Sequence, residues 1–326
     1  MKGRTFVRPY LEIDMQYYFA PLEGITDRIY RKLHHKYFPG LDRYYTPFFS
    51  PTSHRDLTPR EKLELPEAHR VSYTCVPQIL TKVAEDFIWM AEKCRDLGYK
   101  EVNLNLGCPS GTVTAKGKGA GMLTDLDGLN RFLEQIFHDA PLPISVKTRI
   151  GFRSGEEFPA LMDIYNQYPI AELIIHPRHR AAFYKGSADM DAFRYAVSVS
   201  RVPICYNGDL CTIPQIDEFA KDFPQIGAIM LGRGLIGDPG MLSAAPSDAL
   251  KAFHDELLEG YLVAFGGSRN AMFRLKENWR YLICLFEENE KLAKRLRKTT
   301  DITEFRQITN EIFATCPKRE YLQPDW

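Results

Sequence analysis

Eight short apolar or alternating runs recur between Gln16 and Gly234, with helical periodicity between most neighbours, and this rhythm constrains the fold more than any other feature. The runs are Gln16–Ala20, Arg43–Phe49, Val71–Leu80, Glu101–Leu106, Pro143–Arg149, Ala171–His176, Arg201–Asp209 and Ala228–Gly234. Alternation with period two marks strands, and apolar residues at i, i+3 and i+4 mark helices, as in Thr26–Lys36, Ala84–Leu97 and Leu126–Phe137. Eight β–α repeats predict an α/β chain folded as a (β/α)8 TIM barrel with right-handed crossovers. From Pro246 onward the character changes to helices, predicted over Asp248–Phe265, Ser268–Glu288, Lys291–Lys298 and Thr303–Phe313, with a break at Gly266–Gly267. The expected division is an extension over 1–15, a catalytic barrel over 16–245 and a smaller all-helical C-terminal domain over 246–326.

In such barrels the chemistry gathers where strands end at their carboxyl edge. Along the fourth run Val102, Leu104 and Leu106 alternate with Asn103 and Asn105, and Gly107 breaks the pattern just before Cys108–Pro109. Cys108 therefore stands immediately past a strand end, and Gly117, Gly119 and Gly121 let the next loop move or approach a ligand closely. Asn105 is placed to point into the same mouth. On the fifth run Ser145, Lys147 and Arg149 share a face, which puts two cations in or above the barrel. Burying them is costly without an anion, either a bound one or an internal carboxylate such as Glu23. The exits of runs seven and eight, Asn207–Gly208–Asp209 and Gly232–Arg233–Gly234, have the glycines and the cation of a barrel phosphate site. A flavin mononucleotide phosphate or a sugar phosphate suits that site.

Asn-x-Gly-Cys-Pro ahead of a glycine-rich loop resembles the tRNA-dihydrouridine synthases, flavin enzymes that reduce uracil bases in RNA. Ala20-Pro-Leu-Glu-Gly-Ile-Thr-Asp27 is similar to that family's opening motif, and His176-Pro-Arg178-His-Arg180 to its His-x-Arg-x-Arg motif, with Pro177 where a glycine is expected. The resemblance spans nearly the whole chain from residue 16. It implies bound FMN, lying against Pro21, Leu22 and Glu23 and contacted by Gln78, Lys147, His176, Asn207, Gly208, Asp209, Gly232 and Arg233. It implies NADPH as a visiting reductant, Cys108 as the proton donor, and Asn105, Arg149, His176, Arg178, Arg180 and Tyr184 about the substrate nucleotide. The partner is tRNA, held partly by the helical domain. Basic side chains there, Arg274, Lys276, Lys294, Arg295, Arg297 and Lys298, are the candidate phosphate contacts.

Composition narrows the alternatives. Lys plus Arg and Asp plus Glu both number 42, so RNA affinity has to come from local patches rather than bulk charge. The seven cysteines include no Cys-x-x-Cys pair, which argues against a disulfide framework and a zinc site. No run of about 18 apolar residues and no signal-like start occurs, so a cytoplasmic protein away from membranes is expected; it is also expected to be metal-free and a monomer. No Gly-x-Gly-x-x-Gly fingerprint of a dinucleotide domain is present. The rival readings are a flavin oxidoreductase acting on a free pyrimidine, an aldolase using Lys147 as a Schiff base, and an RNA chaperone without catalysis.

Overall fold

The structure is a computed structural model that describes residues 15–52 and 55–325, so the expected extension lies almost wholly outside the described residues. All strands are parallel: β1 (Gln16–Phe19), β2 (Arg43–Tyr45), β3, β4 (Val102–Leu106), β5 (Ile144–Arg149), β6 (Leu173–His176), β7 (Ile204–Tyr206) and β8 (Ala228–Leu231). Strand β3 is divided into Cys75–Val76 and Gln78–Ile79 by Pro77, which has no N–H to give to a ladder. Its first half pairs with β2 and its second half with β4. Since β1 pairs with both β2 and β8, the sheet closes on itself. The eight predicted strands are thus present, with one clear difference. Strand β2 stops at Tyr45, and Phe49 rejoins the sheet as a single bridge to Ile79 beyond Pro47.

The outer helices are α1 (Arg28–Tyr37), α2 (Ala84–Asp96), α3 (Leu126–Asp139), α4 (Phe158–Tyr165), α5 (Met190–Val199) and α6 (Ile213–Asp222). Among the described residues between 50 and 74 only short helical turns occur, so no full helix is seen in the second crossover. Asp27 starts α1 by accepting the Tyr30 N–H at 3.0 Å, the side-chain cap that a helix needs for its unpaired first-turn donors. Val102, Leu104 and Leu106 pack outward against the helices. Tyr18, Ala20, Tyr45, Val76, Ile174, Cys205, Ala228 and Met230 form a separate cluster inside the barrel. This filled interior confines ligands to the mouth.

Beyond β8 come α7 (Arg233–Gly237), α8 (Ala249–Phe265), α9 (Ser268–Leu282), α10 (Glu290–Lys298) and α11 (Ile302–Thr315). Helix α9 is shorter than expected. It passes into a 3-10 turn over Ile283–Leu285, and Asn289 then takes the Phe286 carbonyl at 2.6 Å and the Ile283 carbonyl at 3.2 Å. Helix α8 lies on α1, with the Phe253 ring edge-on to Tyr30 at 5.3 Å and to Phe38 at 5.4 Å. The helical core centres on Trp279, whose Nε1–H donates to His254 Nε2 at 3.1 Å. Burial keeps that imidazole neutral by lowering its pKa, so Nε2 is free to accept. Helix α9 runs along the barrel rim. Midway along it Arg274 donates to the Gly24 carbonyl after β1, and near its end Tyr281 comes within electrostatic reach of Arg233 and Tyr184.

Candidate active site

Inside the barrel mouth, alternation on β4 turns Asn103 and Asn105 inward, where they join a polar ladder. The Gln78 amide donates to Asn103 Oδ1 at 2.8 Å and accepts from Asn105 Nδ2 at 2.7 Å, while Asn103 Nδ2 donates to Ser145 Oγ at 2.9 Å. Asn105 Oδ1 in turn accepts the backbone N–H groups of Gly107, at 3.1 Å, and Cys108, at 2.9 Å. The ladder therefore sets the exit geometry of the strand that carries the thiol. Sequence reasoning picked out Gln78 and Asn105 but missed Asn103 and Ser145 as members; the shared face of Asn103 and Asn105 was the available signal.

Three successive carbonyls of the Cys108 loop are held. Gly107 O accepts from Arg149 Nε at 2.9 Å, Cys108 O from the Ala120 N–H at 3.2 Å, and Pro109 O from Arg180 Nε at 3.1 Å. The expected hinge is thus a pinned loop. Gly119 has φ +57°, and a Cβ there would lie 3.0 Å from the Cys108 Cβ, so this glycine serves close approach. Cys108 is partly exposed. Burial raises its pKa against the opposing pull of Arg149 and Lys147, so Cys108 holds its proton at neutral pH.

The ammonium of Lys147, neighbour to Asn105 across the β4–β5 pair, forms no hydrogen bond or ion pair among the described residues. Burial, helped by Arg149, lowers its pKa to about 8. Glu23 does not compensate it: that carboxylate is exposed and pairs with Arg60 at 3.0 Å. His176 ends β6 and is 7% exposed. Burial and the surrounding Arg149, Lys147, Arg178 and Arg233 hold it neutral, well below the usual imidazole range. Its Nε2 lies 3.3 Å from Arg178 Nη1, which assigns Nε2 as acceptor and the ring proton to Nδ1.

Several expected substrate ligands are tied up within the protein. Arg149, 2% exposed, also donates to the Phe183 carbonyl at 2.8 Å and the His179 carbonyl at 3.3 Å. Arg178, 3% exposed, grips Asp209 with both terminal nitrogens and the Gly186 carbonyl at 2.5 Å. Arg180 donates to Thr114 Oγ1 at 3.1 Å as well as to Pro109. These three arginines organise the loops, while Tyr184 stays exposed between two guanidinium groups, 5.3 Å from Arg149 and 4.8 Å from Arg233.

The loops after β7 and β8 meet at Asp209, which also accepts from Arg233 Nη2 at 2.7 Å. Asn207 Nδ2 donates to the Met230 carbonyl at 2.7 Å, joining the two exits. A Cβ on Gly208 would fall 1.9 Å from Tyr206 Oη, so only glycine fits there. After β1, Leu22 folds back to accept the Thr26 N–H at 3.0 Å while its side chain packs on the interior cluster beside Pro21 and Gly232.

On the helical side, Lys276 caps α10 by donating to the Arg297 and Thr299 carbonyls, and Arg295 pairs with Glu311 at 3.3 Å. Lys294, Arg297 and Lys298 are exposed. Among the described residues no helix is long and apolar enough to cross a membrane, and no group of three or more metal-ligating side chains occurs.

A solved structure of an old yellow enzyme homologue from Zymomonas mobilis shares the fold, with a TM-score of 0.50 at 12% identity over 69% of this chain and 86% of that one. Curated relatives include tRNA-dihydrouridine synthase B of Pasteurella multocida, 26% identical over 71% of this chain and 68% of its own. They also include the tRNA-dihydrouridine(16) synthase of Pseudomonas putida, 29% identical over 72% of this chain and 75% of its own. The family model for dihydrouridine synthase (Dus) matches residues 18–323, taking in the ladder, the pinned thiol, the uncompensated lysine and all but the last few residues of the helical segment, and on that span the chain belongs to the dihydrouridine synthase family.

Proposed function

We propose that this chain reduces uridine in tRNA to 5,6-dihydrouridine, using FMN held at the barrel mouth and NADPH as reductant. The observation that carries the reading is the lone Lys147 ammonium beside a protonated Cys108, above a closed, filled barrel. A buried cation without a counter-ion calls for an anionic guest, and the edge of a reduced flavin ring supplies one. Pro21, Leu22 and Glu23 would flank the ring, Gln78, Lys147 and His176 would meet its edge, and Asn207, Gly208, Asp209, Gly232 and Arg233 would surround the phosphate. Gln78 has one amide hydrogen and one lone pair beyond its ladder bonds for that purpose.

FMN held there would supply a hydride for uracil C6, with NADPH as the source of its electrons, and the uracil C5=C6 double bond would be lost as the new C6–H bond forms. Cys108 gives its proton to C5 and recovers one from solvent. His176, neutral with its proton on Nδ1, donates a hydrogen bond to a uracil carbonyl without adding a charge. The uracil has to leave the RNA stack to come within about 3–3.5 Å of these groups, and Tyr184 is the exposed ring at the entrance. Asn105, Arg149, Arg178 and Arg180 act by fixing the loops around that space. Residues 16–245 form the catalytic part and 246–326 the part that holds tRNA, in a monomeric, cytoplasmic protein. The purified protein should be yellow, and it should convert uridine to dihydrouridine in tRNA only when NADPH is present. Turnover of free uracil with no action on tRNA would instead support the free-pyrimidine reading.

The exposed cations of α10 are the proposed phosphate contacts. Arg297→Glu combined with Lys298→Glu is expected to weaken tRNA binding about tenfold or more at low salt and to flatten its salt dependence. Flavin absorbance should be unchanged. Equal affinity for wild type and variant across a salt titration would remove this surface from the interface.

A further inference from the structure

The helix reversal at Gly266–Gly267 leaves a cleft that the uridine site does not use. It is lined by Phe265 at the end of α8 and by Asn270, Phe273, Arg274 and Glu277 on α9. The four α9 residues fall at spacings of three, four and seven, one stripe of the helix. Gly266, with φ +60°, turns the chain so that this stripe faces Phe265. Phe265 is 37% and Phe273 43% exposed, so two large apolar rings open to solvent at one cleft. Each lies near cations. Arg274 stands 5.4 Å from the Phe265 ring, and Arg269 and Lys276 each 5.6 Å from the Phe273 ring. Arg274 also holds the Gly24 carbonyl, so the cleft adjoins the β1 loop at the barrel mouth.

We propose that this cleft binds one unpaired nucleobase of the tRNA, a base carrying an exocyclic amine, while the target uridine occupies the barrel. This rests on the uridine reductase reading and adds a second base site to it. Exposed rings bearing cations match the faces of bases and the phosphates that join them, a combination used widely for single-stranded nucleic acid. Glu277 then selects among bases. Its carboxylate accepts the two adjacent donors of guanine N1–H and N2–H, or the single amine of adenine or cytosine. Uracil offers one N–H between two carbonyl oxygens, which a carboxylate repels. The site therefore does not compete with the barrel for the substrate base. Asn270 has both a donor and an acceptor to meet the remaining edge.

The test uses the full chain and a tRNA transcript that the wild type binds. Phe273→Ala should raise the Kd for tRNA about tenfold, the loss of one stacked base, while the slope of log Kd against log salt stays the same because no phosphate contact is removed. Val263→Ala, which trims an exposed side chain of α8 outside the cleft, should leave Kd unchanged. A benzophenone amino acid in place of Phe273 should crosslink to an unpaired guanosine, adenosine or cytidine. An unchanged Kd for Phe273→Ala, a crosslink confined to paired stems or uridines, or capture of protein rather than RNA from a lysate would overturn the proposal. Kd is measured without turnover, so a failure of wild type to form dihydrouridine in any tRNA counts against the catalytic reading, separately from the cleft.

Discussion

Replacement of Cys108 by alanine is expected to lower dihydrouridine formation by about 10²–10⁴-fold, the usual contribution of a positioned general acid, while flavin content and tRNA affinity hold. The binding side should survive because the loop is fastened through backbone atoms. Gly107 O, Cys108 O and Pro109 O are taken by Arg149, Ala120 and Arg180, and the Cys108 N–H by Asn105; none of these bonds involves the sulfur. The pH profile gives a second readout. Burial raises the thiol pKa, so the acid form persists to higher pH than for a free thiol, and the wild-type rate should fall only as pH climbs through that raised value. Serine at this position is protonated throughout, so Cys108→Ser should lose rate at neutral pH and also lose the alkaline limb. Mass-resolved nucleoside analysis of tRNA after single turnover measures both. Wild-type turnover by Cys108→Ala would sink the proton-donor assignment.

What was legible in the sequence was what is local. Alternation around Asn103 and Asn105, the break at Gly107 and the glycines after β7 and β8 sit on short segments, and each led to the barrel mouth. What was not legible depends on partners far apart in the chain. Arg178 reads as a free cation until folding sets it on Asp209, 31 residues away, and Arg149 likewise until it meets Phe183 O, 34 residues away. Lys276 looked like a phosphate ligand because its helix is basic, but the end of α10 packs against it and its ammonium caps the last carbonyls. Charge is visible in a sequence and its compensation is not. The same reasoning explains why Lys147 was singled out for a sound reason but with an open answer: only the fold shows that Glu23 turns away to Arg60.

Lys147→Met is the second change with a large expected effect, and it acts in opposite directions on the empty and the loaded protein. In the empty protein the ammonium is a burden. Its pKa falls from an ordinary 10.5 to about 8 on folding, so between those values the unfolded chain binds more protons and stability rises with pH; below about pH 8 the whole penalty is present. Methionine keeps the stem's bulk and removes the charge. The flavin-free variant should therefore melt about 5 °C above flavin-free wild type at pH 7, and near the same temperature at pH 10. In the loaded protein the same uncompensated ammonium stands beside the proposed ring edge, and a hydrogen bond to a charged partner contributes about 1.5–3 kcal/mol. Flavin affinity should fall about tenfold to a hundredfold, and added FMN should raise the variant's melting temperature far less than the wild type's. A depressed amine pKa also suits Schiff-base chemistry, so borohydride in the presence of a carbonyl compound serves as a control, with no adduct at Lys147 expected. If Lys147→Met keeps its yellow colour and melts like wild type in both states, the unpaired ammonium has no anionic guest, and the placement of the flavin edge against β5 is wrong.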